Sequence, residues 1–356
     1  MKRTVRTTVA AVAAVSALTL TACSTASSQQ QSSSSAAASG GSSSAAAAAQ
    51  PEPTVDAVSD LKIAYFSAGS SNQYLQAAID EAKTFAGETG VQLDVFDGQF
   101  DAQVQFDQMQ TALTSGKYNT FVVEPNDGNL VCNLLTRDAP AAGVMVSVFN
   151  LPICGRATNL GEETWQPGTV TYVGGQTLDV YQAWMDQIIE AYPDGGKVAL
   201  ISGPDLNANS ICFFDAAKKL EDNGFEIVAQ QTTDYTTPQA FQAAQTIVQA
   251  NPDLDILMSN FSGMTRGVVQ ATAGTDIAVH DFGGDQWALD NVQSGALAGT
   301  IIMLPRQETR DALQAVVDLV EGEQPERFVN LAESDVLPNG TPFVTPENVG
   351  EYTAEY

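Results

Sequence analysis

The chain has 356 residues, 42 of them acidic against 15 basic, with one histidine and four cysteines, for a net charge of −27. A chain this acidic is unsuited to neutralising nucleic-acid phosphates or to holding an anionic lipid surface through a basic patch; the charge serves solubility first. With one His and no Cys-x-x-Cys spacing, zinc and dithiol redox chemistry lack their usual ligands, and no metal or cofactor is expected.

In chain order, Lys2, Arg3 and Arg6 precede an apolar stretch from about Val9 to Leu20, and Thr21-Ala22-Cys23 follows. A charged start, about a dozen apolar residues and a small-residue cleavage site make an export signal, and the apolar stretch is shorter than the ~20 residues that span a bilayer. The Cys directly after the small pair resembles a bacterial lipoprotein signal, which implies that Cys23 is lipidated and becomes the new N-terminus. Loss of the three basic residues takes the charge from −27 to about −30. Residues 24–59 are Ser, Ala, Gln and Gly with almost no large apolar side chain. Such composition cannot bury enough surface to offset backbone entropy, and a disordered tether is expected there.

From Leu61 onward, short β-rich runs alternate with helical patterns. Strands are expected at Leu61–Ser67, Val91–Phe96, Phe121–Glu124 and Val144–Phe149, with helices at Asn72–Gly90, Ala102–Ser115 and Asn129–Ala139 between them. The pattern restarts with strands at Thr171–Val173, Val198–Ser202, Glu226–Gln230, Asp255–Ser259, Ala278–Phe282 and Thr300–Met303. Helices are expected at Val180–Tyr192, Ser210–Asn223, Pro238–Ala250, Thr265–Ala273, Trp287–Ser294 and Gln307–Glu321. Strand, helix, strand at this spacing makes parallel βαβ units. The fold class is α/β, two doubly wound Rossmann-like lobes, the first closing after four strands near Asn150.

Three cysteines remain beyond Cys23. Cys132 and Cys154 both fall near one edge of the first sheet in this reading and are the expected disulfide, leaving Cys212 as a free buried thiol.

Ligands of open parallel sheets bind beyond the carboxyl ends of the strands. Those loops run at 67–74, 124–127, 149–154, 203–209, 233–236, 260–263 and 283–287, and contain Asn, Gln, Ser, Gly and aromatics but no Lys or His. Amides both donate and accept hydrogen bonds, and aromatic faces suit the C–H faces of a sugar. Asn72, Tyr74, Asn150, Tyr235, Asn260, Asp285 and Trp287 are the candidate ligand residues, with Phe66 at the end of the first strand and Trp165 in an insertion at 156–168 that forms either a lid or stacking surface or a plain surface loop. Catalysis has little to stand on. His280 sits inside an expected strand, Gly203–Asn207 is no phosphate loop, and no spacing singles out a carboxylate pair.

The run IAYFSAGSSNQYLQAAIDEAKTFAGETG, the turn Glu124-Pro125-Asn126-Asp127, the strand Val144–Asn150, and Phe282-Gly283-Gly284-Asp285 with the later Gly295-Ala-Leu-Ala-Gly-Thr appear in one order. In that order they resemble the type I periplasmic binding proteins, the ribose- and galactose-binding class that feeds ABC importers, over Leu61–Glu355. The resemblance implies lobes of 60–149 plus 304–331 and of 150–303 plus 332–356, joined by three hinge crossovers near Asn150, Met303 and Ala332. It implies a small neutral ligand, a sugar or polyol, with an ABC permease as partner, a lipid-anchored monomer at the outer face of the cytoplasmic membrane or in the periplasm, no enzymatic activity and no nucleic-acid partner. A ligand sensor of the same fold signalling to a membrane receptor is the alternative, with a surface hydrolase behind it. Leu151, Ile211 and Met303 stand where the ribose-binding pattern has Arg, Arg and Gln, which argues against ribose itself.

Overall fold

The computed structural model describes residues 50–356. The signal at 1–23 with Cys23 and the tether as far as residue 49 lie outside the described residues. The rest of the expected tether is not free: Gln50 Nε2 donates to the carbonyls of Val170 (2.6 Å) and Pro325 (2.9 Å), and Val55 and Val58 pack against the first lobe's core. Two valines and one amide are enough to seat a segment whose average composition is that of a linker.

The first sheet comprises β1 (Lys62–Ser67), β2 (Gln92–Asp97), β3 (Thr120–Val123), β4 (Met145–Phe149), β5 (Tyr172–Gly174) and β11 (Phe328–Asn330), in the order β11-β5-β4-β3-β1-β2. All its pairings are parallel. The second comprises β6 (Gly196–Ser202), β7 (Phe225–Thr232), β8 (Ile256–Ser259), β9 (Ala278–Gly283), β10 (Gly299–Ile302) and β12 (Phe343–Val344), in the matching order β12-β10-β9-β8-β6-β7. Only β12 runs antiparallel. Strands β3, β4, β8 and β10 are buried along their whole length, as expected where helices cover both faces of a parallel sheet.

Helices α1 (Gln73–Thr89) and α2 (Ala102–Ser115) belong to the first lobe, with a π-helical turn (Leu134–Asp138) running into the short α3 (Ala139–Ala141). Helices α4 (Leu178–Ala191), α5 (Ala208–Glu221), α6 (Thr237–Ala250), α7 (Ser262–Ala271) and α8 (Gln286–Ser294) belong to the second. The chain then returns, and α9 (Pro305–Val320) packs on β4 and α1 of the first lobe. The ends of α1 are set locally: Asn72 Oδ1 accepts from Leu75 N at 2.8 Å, and Gly90 closes the helix at φ 76°, where only glycine avoids a Cβ clash.

The sequence reading and the structure part at the first crossover. Strand β5 pairs with β4 in the first sheet, so residues 150–174 extend the first lobe instead of opening the second. The chain crosses at 175–177, not at Asn150. The insertion at 156–168 folds into two 3-10 turns (Arg156–Thr158 and Gly161–Thr164). The other passages between sheets follow β10, at Met303–Leu304, and β11, beyond Asn330. Cys132 and Cys154 form the disulfide, but beside β4, which is interior to the six-stranded sheet. Cys212 is free and buried, its Sγ donating to the Ala157 carbonyl at 2.8 Å, and burial pushes its thiol up to about 12.

Candidate functional site

The carboxyl ends of both sheets meet at one cleft. An inner chamber of about 50 Å³ is lined by residues of both lobes, and a wider vestibule of about 590 Å³ shares Asn72, Tyr74, Phe100, Tyr235 and Phe261 with it. Asn72, Tyr74, Asn150, Tyr235 and Asn260, all expected from the loops, line the chamber.

Asn150 is its best-held member. It follows β4 in a left-handed conformation (φ 59°), which asparagine tolerates better than most residues. Its Nδ2 donates to Glu124 Oε1 at 2.6 Å, and its Oδ1 accepts from Gln176 Nε2 at 2.7 Å. Its carbonyl accepts from the Tyr172 hydroxyl at 2.8 Å. Glu124 is 2 % exposed. Its Oε2 accepts a long hydrogen bond from the Ala68 N–H, at 3.4 Å, and the Ser67 side chain also favours the ionised carboxyl. Burial raises its carboxyl to about 7, partly offset by these hydrogen bonds.

Two aromatic rings face each other from opposite lobes. Phe100, after β2, and Tyr235, after β7, both have positive φ (55° and 63°), a conformation costing about 1 kcal/mol or more that persists where the surroundings enforce it. Each lies on a glycine of its own lobe. A Cβ on Gly69 would come within 2.9 Å of the Phe100 ring, and one on Gly203 within 2.0 Å of the Tyr235 ring. The Tyr235 hydroxyl donates to Asn207 Oδ1 at 2.9 Å, and the Tyr74 hydroxyl donates to Glu308. Burial raises the Glu308 carboxyl well above its usual range.

Asn209 and Asn260 complete the second lobe's wall. Their Oδ1 atoms are buried without a hydrogen-bond partner, while Asn260 Nδ2 reaches the Tyr181 hydroxyl at 3.4 Å. Unmet buried acceptors are costly, about 1–3 kcal/mol each, and here both belong to residues lining a chamber.

Three expected residues lie elsewhere. Phe66 is fully buried between Phe96 and Phe121 (centroids 4.9 and 5.0 Å), because strand alternation turns it into the sheet's packed face. Trp165 is buried on the first lobe, its Nε1 donating to the Thr169 carbonyl at 3.2 Å with Arg327 over the ring; the insertion is a brace, not a lid. Trp287 lies under the Arg266 guanidinium at 4.8 Å. Asp285 borders the vestibule only. Its carboxylate is occupied by Arg266 Nη2 at 2.6 Å and by the α8 cap at Ala288 N. Asn72 lines the chamber, but its oxygen caps α1.

Sequence reasoning missed Phe100, Gln176, Asn207, Asn209 and Phe261 as chamber residues, and Glu124 in its role. The strand-end rule applied to β2 would have found Phe100. Gln176 is hidden when the strand at Thr171–Val173 is placed in the second lobe, since its loop then no longer reads as a strand end of the first sheet. His280, the only histidine, is bonded to the Tyr192 hydroxyl (3.0 Å) within the second sheet, and burial lowers it to about 4. It does not line the cleft, and among the described residues no nucleophile–base pair is assembled there.

Two like-ordered α/β lobes with a polar and aromatic chamber between their strand ends define a two-lobed ligand-binding protein. A periplasmic binding protein domain model matches residues 63–324, and the chain belongs to that family of extracytoplasmic solute-binding proteins, which are not enzymes. It is 24% identical over 260 residues to the D-apiose import binding protein of Actinobacillus succinogenes, covering 72% of this chain and 79% of the relative. It is 22% identical over 284 residues to the ribose import binding protein of Escherichia coli, covering 76% and 88%. Among solved structures, an ABC transporter solute-binding protein from Mycobacterium smegmatis with bound glycerol is similar at 25% identity and a TM-score of 0.70, over 83% of this chain and 98% of that one.

Proposed function

We propose that the chain captures a sugar or related polyol between its lobes and delivers it to an ABC importer. The observation that carries this reading is the chamber itself: two lobes contribute amides and flat rings to one cleft, and the acceptors Asn209 Oδ1 and Asn260 Oδ1 are buried there without donors among the described residues. Hydroxyl groups of a ligand supply those donors. The D-apiose, ribose and glycerol named for the similar proteins are all polyhydroxylated. The ligand residues on this reading are Asn150, Asn209, Asn260, Tyr74, Phe100 and Tyr235. Closure about the three interlobe connections buries the solute by hinge motion. Lipidation at Cys23 holds a monomer at the outer face of the membrane, within reach of its permease.

The test is calorimetric titration of the purified mature protein against a broad panel of sugars, polyols and nucleosides. Saturable binding of a sugar or polyol, weakened by Asn260→Ala, is the expected result. Binding by nucleosides alone, or by no member, overturns the reading. For the anchor, a Cys23→Ala variant should leave the membrane fraction; retention there overturns lipidation.

A further inference from the structure

Glu124 adds an ionisable carboxyl to the amides and rings of the chamber. Among the described residues, it is the one carboxylic acid lining the inner chamber, and no Lys, Arg or His lines it. The nearest cation bordering the vestibule, Arg266, is committed to Asp285. Glu124 Oε1 accepts a good hydrogen bond from Asn150, and Oε2 a long one from the Ala68 N–H, with the Ser67 side chain also near the carboxyl. Asn209 Oδ1 and Asn260 Oδ1 across the cleft have none. Both tyrosine hydroxyl protons of the chamber, on Tyr74 and Tyr235, are spent inside the protein. The chamber therefore holds two acceptors without donors, Asn209 Oδ1 and Asn260 Oδ1, and a buried carboxyl whose second oxygen is only weakly engaged.

An ammonium group has three donors and no acceptor, and it is also attracted to aromatic faces, which Phe100 and Tyr235 present. We propose that Glu124 makes this site selective for a polyhydroxylated ligand bearing a protonated amine, an amino sugar or amino polyol, over its uncharged hydroxyl counterpart. This rests on the reading of the cleft as a sugar or polyol site. It replaces the neutral ligand expected from the loops, whose composition gave no weight to the Glu of Glu-Pro-Asn-Asp. The carboxyl, raised to about 7 by burial, would ionise fully against the amine and release its proton on binding.

The experiment is calorimetric titration at pH 6.5 of matched pairs: D-glucosamine and D-glucose, D-galactosamine and D-galactose, D-mannosamine and D-mannose, and 1-amino-1-deoxysorbitol and sorbitol, with the N-acetylated sugars as uncharged controls of similar bulk. The expected result is at least one amine binding tenfold or more tighter than its partner and its N-acetyl form, with proton release seen as a heat that varies with buffer. Glu124→Gln should erase the preference. A neutral partner that binds as tightly as its amine in every pair overturns this inference and leaves the sugar reading intact, as does a preference that survives Glu124→Gln. Binding by no member of any pair overturns both. The wild-type comparison stands alone if the variant fails to fold.

Discussion

Phe100 and Tyr235 approach across the cleft with ring centroids 6.4 Å apart, one ring from each lobe. Neither ring's neighbours in sequence mark it as part of a pair. The pair exists because equivalent strands, β2 and β7, end at equivalent places in two sheets of the same order.

Removing one ring should weaken solute binding without undoing the fold. Phe100 is 41 % exposed, so Phe100→Ala should cost little stability. Loss of one stacking face is worth about 0.5–1.5 kcal/mol, a rise in Kd of roughly 3- to 10-fold. Gly203→Ala should weaken binding further, because its Cβ would collide with the Tyr235 ring and overpacking of this kind costs about 1–3 kcal/mol. Titration calorimetry on both variants checks the order; a Gly203→Ala protein binding like wild type would show that Tyr235 does not depend on that glycine.

Asn150 separates side-chain and backbone contributions. Asn150→Ala leaves Glu124 and Gln176 without their shared partner and places a Cβ residue at φ 59°. Asn150→Gly loses the same hydrogen bonds without the strain. Both should lose about 1–3 kcal/mol of unfolding free energy, with Ala lower than Gly by about 1 kcal/mol. Urea denaturation measures the difference, and equal values would mean that the turn relaxes.

Glu124 gives the ligand-free protein a pH signature. The folded state holds its proton up to about 7 and the unfolded chain releases it near 4.5, so ionisation removes stability as pH rises between those values. At about 1.4 kcal/mol per unit, the loss is about 3 kcal/mol. His280, lowered to about 4 by burial, acts in the other sense: its contribution is complete above about 6.5 and is lost as pH falls toward 4. Subtracting Glu124→Gln from wild type cancels His280. The variant should gain on wild type by about 3 kcal/mol from pH 4.5 to 7 in urea melts; a constant difference would count against a buried, protonated Glu124.

The disulfide closes a 22-residue separation. Chain-entropy arguments give a loop of that size about 3 kcal/mol, so Cys132→Ser with Cys154→Ser should lower unfolding free energy by about that amount. Alkylation without reduction, followed by peptide mass analysis, should label Cys212 only, and only after unfolding. A labelled Cys132 peptide would contradict the pairing.

What the sequence made legible divides along physical lines. Helices α1, α2 and α4–α9 were readable because each carries a periodic apolar face over nine or more residues. Strand β5 is legible at Thr171–Val173 but not its sheet, while β11 and β12 span three and two residues, too few for alternation to register, and their sheet partners are distant in sequence. The first crossover lies later than expected because β5 pairs with β4 in the first sheet. Within the site, the strand-end rule points to the loops of Asn72, Tyr74, Asn150, Tyr235 and Asn260, and equally to those of Phe100, Asn207 and Asn209, without saying which loop residues line the chamber. Phe66 was misplaced because the rule does not say which face the last side chains take. Trp165 and Trp287 were chosen as aromatics in suitable places, but each is occupied by an arginine and by packing. The charge character of the chamber was not legible at all, because it depends on which hydrogen bonds are already made.

Gln176 lies in the connection from β5 to α4 and its amide is bonded to Asn150 in the chamber wall. A residue in that position makes the angle between the lobes and the grip on the solute a single thermodynamic variable. Apparent affinity scales with the fraction of molecules already competent to bind. Substitutions in this short connection could therefore retune the resting balance of open and closed forms, and with it the solute concentration to which the protein responds, while the recognition groups stay as they are.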